Sequence, residues 1–291
     1  MAKRKFGRVS LISQLNIFRL VYRLTLFLVA GGLYAWYKIT NIQIFNNIWV
    51  GFWILLVIVV LLAVEMIERF FPVKTSSMGS QKQFKRNYLP SGQDKPILQS
   101  WKATMTVVIS WVALNLVFGV LYFFKIFDSG AMMLIALFYA VSDMICILFF
   151  CPFQTWMMHN RCCGTCRIYN WDFIMMATPL VSLLVIPGHF NVFNNMQWEW
   201  AQWYIIFNPF IYILVGLSLA LFIRWEVTYR RHPERFSDKT NMNIRCVNCK
   251  EKLCAHKKQL QVLLRESGKL IRGFYDAESV IKEDENDKEG S

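Results

Sequence analysis

The segment His159-Asn160-Arg161-Cys162-Cys163-Gly164-Thr165-Cys166-Arg167 places three thiols and an imidazole within nine residues. A second cluster, RCVNCKEKLCAHKK, supplies Cys246, Cys249, Cys254 and His256. In a Cys-x-x-Cys pair the two-residue turn aims both sulfurs at one ion, and two such pairs complete a tetrahedral thiolate set. Cys163 with Cys166, and Cys246 with Cys249, therefore read as candidate first ligands of one metal centre. Cys162 and Cys254 are further sulfur ligands, with His159 and His256 as reserve ligands or outer partners.

Zinc is the default ion for paired Cys-x-x-Cys, and would staple the two segments together. An iron–sulfur cluster uses the same four thiolates. The set is all-thiolate with spare sulfurs, which leans toward the cluster. Cys162-Cys163-Gly164 followed by Cys246 and Cys249 resembles the cluster-binding CCG motif of heterodisulfide reductase subunits. The resemblance covers those five residues alone, with a longer separation between the halves. It implies an iron–sulfur cofactor. Arg161, Arg167, Arg245, Lys250 and Lys252 flank the thiols and favour their ionised form.

These clusters must be positioned by a chain of unusual composition. Of 291 residues, 55% are hydrophobic and 18% charged, against about 25% charged in soluble domains. Such a chain is an all-α integral membrane protein. A span needs about 20 apolar residues, and six are expected near 20–37, 48–67, 104–124, 131–150, 171–186 and 203–223. Pro179 and Pro187 interrupt the fifth. The opening MAKRKFGRVS lacks the small-residue cleavage site of a signal peptide, so the first run reads as a retained span.

With six spans, 30 of the 32 Lys and Arg residues fall on one side, leaving Lys38 and Lys125 opposite. Basic residues mark the cytoplasmic side. The expectation is a cell-membrane protein with both termini, the 68–103 loop and both thiol clusters in the cytoplasm. Structural disulfides are disfavoured there, so the crowded thiols point to metal. The net charge of +13 sits at span ends, which argues for anionic headgroups rather than nucleic acid as the partner. Trp198, Trp200 and Trp203 suit an interfacial belt.

The organisation expected is a basic N-terminus (1–19), a six-helix transmembrane domain (20–223), a small cytoplasmic Cys-rich metal-binding subdomain (224–275) and an acidic disordered end (276–291). Polar residues inside spans are costly, and so are functional candidates. Asp143 is the clearest, at a depth matching Asn115, with which it is expected to hydrogen-bond. Glu65 and Glu68 share a helical face beside Arg69. Asp172 is expected at the N-cap or in the first turn of the fifth helix, or alternatively paired with Arg161 or Arg167.

Walker loops, dinucleotide fingerprints, HExxH and GxSxG are absent, and no mid-span histidine supports a haem path. The function expected is a membrane redox component. Its thiolate centre passes electrons between a soluble partner or membrane subunit and the membrane, with Asp143 handling protons or bracing the fold. The alternative is an ion or small-solute transporter, or a scaffold, with a structural zinc staple.

Overall fold

A computed structural model describes residues 11–40, 48–73, 78–93, 95–149, 151–158, 163–185 and 199–245. The chain divides into two compact units, Met1–Lys252 and Leu253–Ser291, and every described residue belongs to the first. The architecture is all-helical. Among the described residues seven α-helices run in order: α1 Leu11–Thr40, α2 Ile48–Glu68, the short α3 Met78–Gln83, α4 Trp101–Phe123, α5 Ser129–Leu148, α6 Asp172–Val185 and α7 Glu199–Arg231. Among the described residues the only extended pairing is an isolated antiparallel bridge, Pro90 to Asn241.

Among the described residues four stretches are long and apolar enough to cross a membrane: Gln14–Thr40, Trp101–Phe123, Ser129–Leu148 and Pro209–Arg231. Their outward side chains are the physical reason. Leu28, Ile109 and Leu116 are 62%, 66% and 65% exposed. In water they would form an unprotected apolar patch far larger than monomeric proteins carry. Surrounded by lipid they cost nothing, and helices satisfy every backbone group internally. α1 begins nine residues before the span expected from hydropathy, so Arg19 as well as Arg23 lies inside the helix.

Side-chain pairs fix the helix directions. Arg19 meets Glu68 while Arg23 meets Glu65, so α1 and α2 are antiparallel. Arg23 meets Asp143 and Tyr34 meets Asp128, which sets α1 antiparallel to α5. Trp111 donates to Thr178 Oγ1 at 3.2 Å, joining α4 to α6. Asp128 caps α5 by accepting the Ala131 N–H at 2.8 Å, which satisfies one of the free donors of the first turn. Pro179 and Pro209 lie inside α6 and α7, each removing one backbone hydrogen bond.

One end of the bundle is covered by the described parts of the 69–100 and 151–171 connections and by residues 232–245 after α7; we call this the capped end. Its main apolar cluster joins Phe84 and Phe236 from the cap to Trp225 and Tyr229 of α7. A second cluster, Val107, Met158, Cys166, Ile168 and Trp171, fills the space beneath the 151–171 connection. At the opposite end Tyr122, Met132, Leu183 and Ile211 form a third.

The cap is held by amides as much as by apolar contact. Ser80 Oγ donates to Asn170 Oδ1 at 3.0 Å, and Asn170 Nδ2 donates to Gln83 Oε1 at 2.6 Å. Gln83 Nε2 donates in turn to the Gly164 carbonyl at 2.7 Å. Asn241 Nδ2 donates to the Lys82 carbonyl at 3.0 Å, and the Met242 N–H to the Leu89 carbonyl at 2.8 Å. Ser80, Gln83 and Asn241 are fully buried, and buried polar groups persist only when bonded in this way.

Candidate functional site

The thiol segments and the intramembrane carboxylates have different fates in the structure. Cys162, Cys246, Cys249, Cys254, His159 and His256 lie outside the described residues. Cys163 opens a short 3₁₀ turn, Cys163–Thr165, against α3. Cys166 is buried among Val107, Met158, Ile168 and Trp171. Among the described residues no three His, Cys, Asp or Glu side chains gather as a metal-binding group.

What the fold does gather is charge. Arg23 is only 2% exposed at its side chain. One guanidinium nitrogen donates to the Ala140 carbonyl at 2.9 Å and pairs with Asp143 at 3.2 Å; the other pairs with Glu65, which also accepts from Tyr22 Oη. Arg19 lies one turn earlier on α1, 2.8 Å from Glu68 and 3.5 Å from Glu65. Arg69, just past α2, pairs with Asp172 in the first turn of α6, and stacks its guanidinium 4.9 Å from the centre of the Phe173 ring. Burial is the largest influence and opposes the charge on Arg69, but Asp172, Tyr169 and Asp143 together outweigh it, and the pKa of Arg69 is raised.

These partners differ from those expected. Asn115 does not bond Asp143: its Nδ2 turns back along α4 to the Trp111 carbonyl at 2.9 Å, because Arg23 is the stronger partner for a buried carboxylate. Glu65 and Glu68 face α1 rather than Arg69. Asp172 takes Arg69, leaving Arg167 for Glu226. That last pair is two-pronged, at 3.1 and 2.6 Å, and Glu226 also accepts the Trp171 indole N–H at 2.8 Å. The bond to Glu226 raises the pKa of Arg167, whose guanidinium also sits 4.8 Å from the centre of the Tyr229 ring.

Hydropathy alone missed Arg19 and Arg23, which were counted as flanking charges. A usable signal existed. Arginines four apart on α1 present one face, and Glu65 and Glu68, three apart on α2, present another.

Beside this cluster lies a cavity of ≈ 250 Å³ between α4, α5, α6 and the 151–171 connection. Trp111, Tyr139, Phe153 and Met176 contribute to its apolar wall, and Asp143 and Asp172 are its acidic members. Asp172 is 8% exposed, and its Oδ1 makes no hydrogen bond among the described residues. Counting every described partner, the charges are Arg19, Arg23 and Arg69 against Glu65, Glu68, Asp143 and Asp172. That leaves one carboxylate more than there are guanidinium groups. Such a site can hold a proton or a cation, and it braces α1, α2, α5 and α6 against one another.

The fold and the cluster together define an all-helical, membrane-embedded protein with a buried ionic core near one end. No protein-family model matches the chain, and neither a curated protein nor a solved structure does.

Proposed function

We propose that the chain spans the membrane six times with both termini in the cytoplasm, α2 and α6 joining the four longer spans. We further propose that its capped end holds one thiolate-ligated metal centre shared by the two Cys-x-x-Cys pairs. At 1.5 Å per residue α2 is about 31 Å long and α6 about 21 Å; a short α6 fits a segment reaching the far side through neighbouring helices. The centre is an iron–sulfur cluster, and the protein is a membrane redox component passing electrons between a soluble partner and the bilayer.

One observation carries this reading. Gly164, between Cys163 and Cys166, accepts from Gln83, while Asn241 donates to the neighbouring Lys82 carbonyl. The two thiol-bearing segments thus grip consecutive residues of α3. Cys246 follows Asn241 by five residues, a reach of at most about 18 Å.

Elemental analysis and visible spectra of the anaerobically purified full-length chain test it. Iron, sulfide and broad visible absorbance bleached by dithionite are expected, and lost in both Cys163→Ala and Cys249→Ala. A colourless chain with one zinc, released by either substitution, would replace the redox role with the second reading. That reading is an ion or small-solute transporter, or a scaffold, with a zinc staple, and the cavity beside Asp143 favours it. A chain with no bound metal would overturn both forms of the centre.

A further inference from the structure

The thiol segments leave the cavity between α4, α5 and α6 unexplained, and its walls have a definite chemistry. We propose that this cavity binds a monovalent organic cation with an aromatic-sized apolar body, taken up in exchange for one proton. The cavity shares Cys166 with the metal centre proposed above, and the cation test needs no metal.

Size sets the first limit. Drug-sized ligands occupy roughly 300–1,000 Å³, whereas a cavity of about 150 Å³ takes benzene. At ≈ 250 Å³ the site fits one ring with a small head group.

Wall chemistry sets the second. The Trp111 ring centre lies 4.6 Å from that of Tyr139 and 5.9 Å from that of Phe153. Aromatic faces carry negative charge density and attract cations, more strongly where water is excluded. At one side the Asp172 carboxylate is more than nine-tenths buried, and its Oδ1 lacks a partner among the described residues. An acceptor desolvated in this way costs about 1–3 kcal/mol, more when charged, unless a donor or cation meets it.

Charge balance sets the third. Arg23 reaches the cluster from α1, Glu65 from α2, Arg69 from the turn after α2, Asp143 from α5 and Asp172 from α6. Arg19 and Glu68 join at the outer edge, Arg19 lying 2.8 Å from Glu68 and 3.5 Å from Glu65, and as one charge of each sign they leave the balance unchanged. The titratable neighbours on the cavity wall are the Tyr139 and Tyr169 hydroxyls and the Cys146 and Cys151 thiols, neutral in their ordinary states, while Cys166 on the same wall is counted with the thiolate centre. The buried balance among described residues is one negative charge. The N-terminus of α6 supplies only about half a positive charge. Empty, the site holds a proton on one carboxyl. When the cation enters, that O–H bond breaks, the proton leaves to solvent, and the total charge is unchanged.

The test uses the full-length chain in detergent with benzyltrimethylammonium as the probe, followed by Trp fluorescence and titration calorimetry. One-to-one binding is expected, tightening as pH rises by up to about tenfold per pH unit while the carboxyl is protonated, with up to one proton released. Neopentylbenzene, its uncharged isostere, is expected to bind at least about tenfold more weakly. Asp172→Asn is expected to weaken the cation by about tenfold or more, and to abolish proton release. The isostere comparison needs no variant, so a failure of Asp172→Asn to fold leaves the test intact. Equal binding of the isostere, absence of cation binding, or preference for a neutral naphthoquinone would each overturn the proposal.

Discussion

The two ends of the helical bundle use the same kinds of ion pair in opposite environments. At the capped end Arg23 joins α1, α2 and α5 with a side chain 2% exposed. At the other end Lys38 of α1 meets Asp128 before α5 at 2.6 Å, with the lysine 50% exposed. Both pairs tie α1 to α5. The first removes several charges from water, so each charge depends on the others remaining; the second stays solvated and each member survives alone. Ion pairs at the capped end therefore specify an arrangement, whereas the pair at the opposite end adds little.

The contrast is broken most directly at Arg23. Arg23→Leu strands the Glu65 and Asp143 carboxylates, and a loss of about 3–5 kcal/mol is expected, read from unfolding of the purified chain in detergent. If the loss is under about 1 kcal/mol, the cluster is solvated and the comparison fails. Adding Glu65→Gln and Asp143→Asn to Arg23→Leu should recover much of the loss, since it removes the unpaired charges themselves.

Packing sharpens the comparison next. A Cβ on Gly79 of α3 would lie 2.4 Å from the Tyr169 ring, and one on Gly130 of α5 would lie 2.7 Å from the Tyr34 ring. Tyr169 is held within the cap and stacked near Arg69, whereas Tyr34 lies on α1 at the more open end. Gly79→Ala is expected to cost about 1–3 kcal/mol and to speed proteolysis of the cap. Gly130→Ala should cost less.

Glu226→Gln leaves Arg167 without its carboxylate partner. Because the Gln carbonyl still accepts one hydrogen bond, a loss of about 1–2 kcal/mol is expected by thermal melting.

The smallest effect is expected at the open end, where Lys38→Met should cost less than about 1 kcal/mol, and less still at high salt. Acid gives the matching control. Burial pushes Asp128 upward, but hydrogen bonds from Lys38, the Ala131 N–H and Tyr34 outweigh it, so its pKa lies below the ordinary 3.8. A depressed carboxylate contributes stability that is complete above 3.8 and lost as pH falls through its folded value. The Lys38→Met difference should therefore be flat near neutrality and shrink only in strong acid.

Helical class and membrane embedding were legible in the sequence because both are local consequences of composition. A run of about 20 apolar residues has to satisfy its own backbone wherever lipid surrounds it. Asp172 in a first turn was legible for the same local reason. Partner choice was not. Arg23 and Asp143 are separated by 120 positions, and Gln83 and Gly164 by 81; no spacing rule links them. Sequence placed Glu65 and Glu68 on one face but could not say that α1 would cover it, since electrostatic pairing depends on which helices pack. The folded chain alone decided that Arg23 belongs to Asp143, Arg69 to Asp172 and Arg167 to Glu226. Each buried carboxylate takes whichever guanidinium the packing brings within reach, because in a medium of low polarity leaving it alone costs more than any local preference supplies.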